Sequence, residues 1–153
     1  MRRKTRALDL KTAKDLLLKA EYGVLAVSGD NGYPYAVPLN FVYADDAIYF
    51  HCAKSGHKID AIKNDARVSF CAVPYATVAP SEYTTMYESV IVFGEAEIVT
   101  EKAEQHRAAV LLSQKHACGT EEEIEAEIER FKDALCIVKI NITHITAKSN
   151  RNG

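Results

Sequence analysis

The sequence predicts a mainly β, α+β fold: a small barrel of six antiparallel strands with a few peripheral helices. Three observations carry that prediction. Short apolar runs rich in Val, Ile, Tyr and Phe recur along the chain, bounded by turn residues. The first three of them are joined by connections too short for a crossover helix, so they pair as an antiparallel meander. Helical periodicity is confined to a few segments lying between or before those runs.

Taken in order, residues 11–20 (KTAKDLLLKA) have the spacing of a short helix, and Gly23 to Ser28 forms the first strand. Asp30-Asn31-Gly32 is a strong turn signal, after which Pro34 to Tyr43 reads as the second strand. Ala44-Asp45-Asp46 makes another tight turn into a third strand, Ala47 to Cys52. A short helix follows, with Ser55 as its N-cap and Ile59 and Ile62 on its buried face. Arg67 to Val73 is the fourth strand, and Pro74 to Tyr87, with two prolines and many small polar residues, reads as a long loop. Ser89 to Val99 is the fifth strand, where Gly94 marks a bulge or a close backbone approach. Residues 101–117 are helical in pattern, and Thr120 opens a further helix with a capping box to Glu123. Ala134 to Thr146 is the sixth strand. No linker, repeat or low-complexity stretch interrupts residues 1–153, which are read as one continuous domain.

Composition bounds the function. With 48% apolar and 26% charged residues, the 153-residue chain has the proportions of a globular domain large enough to hold without disulfides. A formal charge of −2, from 19 basic and 21 acidic residues, argues against a nucleic-acid binder that works by global charge. No apolar run approaches the roughly 20 residues that span a bilayer. Met1-Arg2-Arg3-Lys4-Thr5-Arg6 lacks the apolar stretch of a signal peptide, so a cytoplasmic protein without a membrane partner is expected. Of four cysteines none forms a C-x-x-C pair, and Cys71 and Cys136 sit in apolar strand runs as small hydrophobes. Cys118 lies near His116, but nothing nearby completes a ligand set, so no metal is expected.

The chemistry collects between Tyr33 and Val73. His57 and Lys58 occupy the first turn of the helix after Ser55, with Lys54 just before it. Cations there oppose the helix macrodipole, whereas Glu121 and Glu122 after Thr120 complement it. The local pattern fits two readings: a solvated basic turn, or a phosphate held by free N–H groups and neighbouring cations.

Gly32 to Tyr43 (GYPYAVPLNFVY), followed by Ile48 to Lys58 (IYFHCAKSGHK), resembles the pyridoxamine 5'-phosphate oxidase-related flavoproteins, and within them the nitroimidazole-resistance (Nim-type) branch. Met1 to Lys4, Glu88 to Ala96 and Ile145 to Lys148 extend the resemblance over almost the whole chain. It implies a split β-barrel homodimer with two FMN molecules in clefts between the subunits. Carried over by position, Tyr35, Val37, Pro38, Leu39 and Asn40 would face the flavin ring and ribityl chain, with His51 and Cys52 continuing that wall. Ser55 and Gly56 would lead into His57 and Lys58, which match the Arg-Lys pair that holds the FMN phosphate in the oxidase. The partner subunit would close the site through Tyr83 to Ser89 and Thr146 to Lys148, with Lys148 reaching the cofactor.

For His51 the resemblance implies a catalytic role, suited to an imidazole that titrates near neutrality; a satisfied, partly buried ring is the structural alternative. Asn40 either donates to the flavin ring or is satisfied by a neighbouring chain. Tyr33, Tyr35, Tyr43 and Tyr49 read as core or dimer aromatics. Two departures stand out. There is no Trp, and Lys148 to Gly153 holds a single Arg, where the oxidase embraces its substrate's phosphate with Trp and Arg. His57 replaces an Arg, which makes phosphate binding weaker and pH-dependent. The function expected is an FMN-binding oxidoreductase that reduces a small electrophile, such as a nitroaromatic, with electrons from NAD(P)H; FAD remains open in place of FMN. The alternatives are a non-catalytic flavin store or sensor, and a heme-binding relative with His51 or His57 as axial ligand.

Overall fold

The computed structural model describes residues 4–151; Met1, Arg2 and Arg3 of the basic N-terminal run lie outside the described residues, as do Asn152 and Gly153. The apolar runs become β1 (Ala7–Leu8), β2 (Tyr22–Ser28), β3 (Pro34–Asn40), β4 (Val42–Ala44), β5 (Ala47–Ala53), β6 (Arg67–Ala79), β7 (Thr84–Ile98) and β8 (Leu135–Ser149). The helices are α1 (Leu10–Lys19), α2 (His57–Asn64), α3 (Lys102–His116) and α4 (Glu121–Phe131). All strand pairs are antiparallel, in one sheet of order β3-β2-β6-β7-β8-β5-β4, with β1 joined to β8. The predicted α+β split barrel is what the chain forms, with eight strands among the described residues in place of six.

Where the barrel splits follows from the topology. The two ends of the sheet, β3 and β4, are separated in sequence only by Phe41, yet they pair with β2 and β5 respectively. The sheet therefore curls until its ends nearly meet, and Phe41 bridges the gap without closing it. This corrects the single strand expected over Pro34 to Tyr43, and with it the three-strand meander. The alternation of Tyr35, Val37 and Leu39 toward the core breaks after Phe41, where Val42 and Tyr43 are both buried, one under α3 and one in the main core.

The expected loop over Pro74 to Tyr87 is instead a long hairpin arm. β6 runs on to Ala79 and β7 starts at Thr84, paired from Tyr75↔Glu88 to Ala79↔Thr84. Pro74 is tolerated because it lies where the register shifts between Ala72 and Tyr75, so its missing N–H breaks no ladder bond. Pro80 then opens the tight turn at the tip. β1, and the extension of β8 past Thr146 to Ser149, are too short or too polar to stand out by pattern.

Gly94 meets the expectation set for it. The β7–β8 register shifts between Phe93 and Gly94, and a Cβ there would collide with the Asn141 carbonyl and come within 2.8 Å of Ile140 Cγ2. Leu17, Leu25, Phe41, Phe50, Phe70, Val92 and Ile140 fill the barrel, and Ile59 and Ile62 of α2 add to the same core. A second cluster, Val42, Tyr49, Ala108, Leu112 and Ile137, seats α3 on the outside of β5 and β8. There the Tyr49 hydroxyl donates to Glu104 at 2.9 Å, and Lys139 pairs with the same carboxylate at 2.9 Å. Among the described residues no helix is long and apolar enough to cross a membrane.

Candidate functional site

The split itself is the candidate site. β3 pairs only with β2, so its other edge is unsatisfied by the sheet. β4 covers β5 only from Ala47 to Tyr49, leaving Phe50 to Ala53 without a strand on that side. These two open edges border the seam that Phe41 bridges, and most of the residues singled out from sequence lie along it.

At one end stands the N-terminus of α2. Its first donors are left open in a way the other helices avoid. Asp9 caps α1 by accepting from Thr12 N, Glu101 caps α3 through Ala103 N and Glu104 N, and Thr120 caps α4 in a complete capping box. The N-cap of α2 is Gly56, not the expected Ser55, and no side chain caps the helix. The reason is conformational: Gly56 has φ +132, a left-handed value that suits glycine, and open space surrounds its missing Cβ. The backbone N–H groups opening the helix are flanked in sequence by the Ser55 hydroxyl and the Lys58 ammonium, donors of the types that hold a phosphate. His57 joins them with a constraint: its Nδ1 lies 3.3 Å from Asp30 Oδ2, and its ring meets Tyr35 edge-on at 4.5 Å. Those contacts tie α2 to the start of β3.

Further along the seam, β5 turns Ile48, Phe50 and Cys52 inward and leaves His51 exposed. Crowding by the surrounding protein, then the positive fields of His116 and Lys58, push the His51 pKa below the ordinary histidine value. His51 is thus held as neutral imidazole at neutral pH, able to accept a proton. Asn40, exposed at the end of β3, has its side-chain Nδ2 3.4 Å from His116 Nδ1, and His116 Nε2 lies 2.9 Å from the Phe41 carbonyl oxygen. Lys115 beside it sits 4.4 Å over the Phe41 ring. The last turn of α3 therefore clasps the bridge between the sheet ends, and the Lys115 ammonium suits a helix C-terminus.

His116 is the site residue that sequence reasoning missed. In sequence its only notable neighbour is Cys118, and nothing local shows that the end of α3 lands on Phe41, 75 residues away.

The other predicted residues are placed as follows. Tyr35, Val37 and Leu39 turn inward and pack on the barrel core, while Pro38 and Asn40 face out. The Cys52 side chain is buried with its Sγ 3.5 Å from Cys136 Sγ, and burial with that hydrogen bond pushes its thiol up to about 12. Only the Cys52 backbone borders the seam. Lys148 lies at the opposite end of β8 from Leu135, the partner of Ala53, and pairs with Ser89. The registers Tyr22↔Asn40, Val24↔Cys71, Cys71↔Ile91 and Ile91↔Thr146 set that end of β8 level with Asn40, on the far side of β2, β6 and β7.

Beside the seam, the outer face of the sheet is apolar where water should favour polar groups. Val24, Val73, Ile91 and Phe93 are 37%, 46%, 40% and 49% exposed on adjacent strands. A hollow of about 440 Å³ opens on this face between the β2–β3 turn, Arg67 and Phe93. It contains Tyr33 but none of the residues expected to contact the cofactor, and belongs to the apolar face rather than the seam. Among the described residues no three His, Cys, Asp or Glu side chains come together in a way that could hold a metal ion.

The family model for pyridoxamine 5'-phosphate oxidase matches residues 9–149. A search of the curated proteins found no match. Among solved structures, a conserved hypothetical protein from Mycobacterium tuberculosis is 20% identical, with a TM-score of 0.84 over 97% of this chain and 89% of that one. A candidate 5-nitroimidazole antibiotic resistance protein from Bacteroides thetaiotaomicron is 18% identical, with a TM-score of 0.74 over 93% and 85% of the two chains. An FAD and heme binding protein from Mycobacterium smegmatis is 18% identical, with a TM-score of 0.71 over 95% and 72%. At these identities the likeness is one of fold.

Proposed function

Because this chain belongs to the pyridoxamine 5'-phosphate oxidase family, we propose that it is a flavin-nucleotide-binding protein. In this reading the seam takes the flavin, the chain acts as a homodimer, and its activity is the reduction of a small electrophile by NAD(P)H. The observation that carries the reading is the N-terminus of α2: an uncapped helix start, opened by Gly56 and flanked by Ser55 and Lys58, at one end of an unpaired seam. A phosphate needs that donor set, and a flat ring needs an edge of strand with few charges, which Tyr35 to Asn40 supply.

In this reading Lys58, Ser55 and the first N–H groups of α2 hold the phosphate. His57 adds a donor at the expense of its contact with Asp30. The open edge of β3 supplies backbone groups to the ring, except at Pro38, which has no N–H to give. Asn40 supplies a carboxamide at the far end. Neutral His51, exposed on β5, accepts or returns a proton beside the seam. The bound flavin supplies hydride chemistry, and the residues around it orient it and keep water away.

One observation supports a second copy of the chain as the wall of the site: the exposed apolar face adjoins β3. FMN is the smallest nucleotide that this donor set explains; FAD would extend its adenylate beyond α2. The absence of Trp supports a substrate other than pyridoxamine phosphate.

The test is anaerobic. Flavin-loaded protein mixed with NADH or NADPH should bleach, and a nitroaromatic should restore the colour. A flavin that stays oxidised at every donor concentration would leave a carrier or sensor and overturn the oxidoreductase reading. A Soret band in place of the flavin spectrum would replace both with heme.

A further inference from the structure

His116 lies outside every motif the sequence offers, yet it makes two contacts at the seam, and their chemistry is directional. The Phe41 carbonyl oxygen can only accept, so His116 Nε2, 2.9 Å away, must carry the proton and donate. In the neutral ring Nδ1 is then a bare lone pair. The Asn40 carboxamide nitrogen lies 3.4 Å from it, and the opposite rotation of that amide would set Oδ1 against the lone pair. The contact with His116 therefore fixes which way round the Asn40 amide sits.

We propose that His116 is a positioning residue, which orients the Asn40 carboxamide so that its Oδ1 and its second N–H are presented together at the seam. This rests on the flavin reading above and deepens it. An acceptor and a donor side by side on one amide match the imide edge of an isoalloxazine ring, where an N–H lies between two carbonyls. A freely rotating Asn would present that pair half the time in reverse; one locked by His116 presents it in one order, without an ordering cost on binding. The lock is well founded mechanically. Lys115 over the Phe41 ring and the edge-on contact of Phe41 with Phe70 at 4.8 Å hold the bridge to which His116 is tied.

The experiment separates this role from mere support of the fold. His116→Lys keeps an N–H donor for the Phe41 carbonyl but carries no acceptor for the Asn40 amide, so its melting temperature should stay near that of the wild type. Its affinity for FMN should fall roughly five-fold, the worth of one neutral hydrogen bond. Asn40→Ala should lose about the same, and the double variant should lose no more than Asn40→Ala alone. Additive losses, or unchanged affinity in His116→Lys, would overturn the proposal. Nitrogen-15 NMR of the flavin-free protein supplies the independent reading: His116 should show the Nε2–H tautomer, and the Asn40 side-chain amide signals should change in His116→Lys. An Nδ1–H tautomer overturns the positioning role whether or not flavin binds. Wild-type protein that shows the Nε2–H tautomer but binds neither FMN nor FAD overturns the flavin reading instead.

Discussion

Replacing His57 and Lys58 together by alanine strips the side-chain cations from the start of α2 and leaves its backbone donors in place. Lys58 offers the phosphate a charge-assisted hydrogen bond, which in this exposed setting is worth about 1–2 kcal/mol rather than the larger value of a buried one. His57 is worth about 1 kcal/mol, at the low end of that range, because its Nδ1 already lies 3.3 Å from Asp30 Oδ2. The sum, roughly 2–3 kcal/mol, corresponds to a loss of about 30- to 150-fold in FMN affinity. Riboflavin has the same ring and ribityl chain but no phosphate, so its affinity should not change. Quenching of flavin fluorescence, titrated for both ligands on both proteins, reads the difference directly. The wild-type preference for FMN over riboflavin should also shrink as salt rises, since these are solvent-facing charges. Folding should be spared, because His57 is exposed and Lys58 only partly buried, on a first turn where cations oppose the helix dipole. If FMN affinity is unchanged, or riboflavin weakens as much as FMN, α2 is not the phosphate site.

Four other outcomes are expected. His51 has a depressed pKa in the fold, so the unfolded chain binds more protons between that value and the ordinary one near 6.5; stability is present above that window and is lost as pH falls through it. His51→Gln should therefore lose less melting temperature than the wild type between pH 7.5 and 5.5, and equal losses would refute the shift. Gly94→Ala should destabilise by about 2–4 kcal/mol in urea unfolding, since its Cβ meets the Asn141 backbone, which cannot move aside; a change below about 0.5 kcal/mol would contradict the close approach. Phe93→Glu on the exposed apolar face should convert a dimer to a monomer in sedimentation while the barrel stays folded, and a wild-type monomer would sink the shared-cleft proposal. Cys118 is exposed whereas Cys52 and Cys136 are buried, with the Cys52 thiol pushed up to about 12, so a thiol reagent should label Cys118 first and the buried pair only on unfolding.

What the sequence made legible was local. The Thr120–Glu123 capping box, the bulge at Gly94 and the runs that became β2, β5 and β8 all declare themselves within a few residues. So did the cations of α2, because a helix start with His57 and Lys58 contrasts with the acidic first turn of α4. Pattern reasoning failed where the tertiary fold chose between equivalent strands. Nothing local divides Pro34 to Tyr43 at Phe41, since the break serves a sheet whose ends must part there. Pro74 and Pro80 suggested a loop, but one sits at a register shift and the other at a hairpin tip, two places where a strand tolerates proline. His116 was invisible for the same reason: its role comes from where α3 ends in space, and its two partners lie about 75 residues earlier.

The central claim is that the seam bounded by β3, β5 and the start of α2 binds a flavin nucleotide. Calorimetric titration of FMN into the flavin-free protein tests it most directly. The account predicts saturable binding with one FMN per chain and a competing, weaker isotherm for riboflavin. Absence of binding by both FMN and FAD, in protein shown to be folded by its thermal transition, would contradict it.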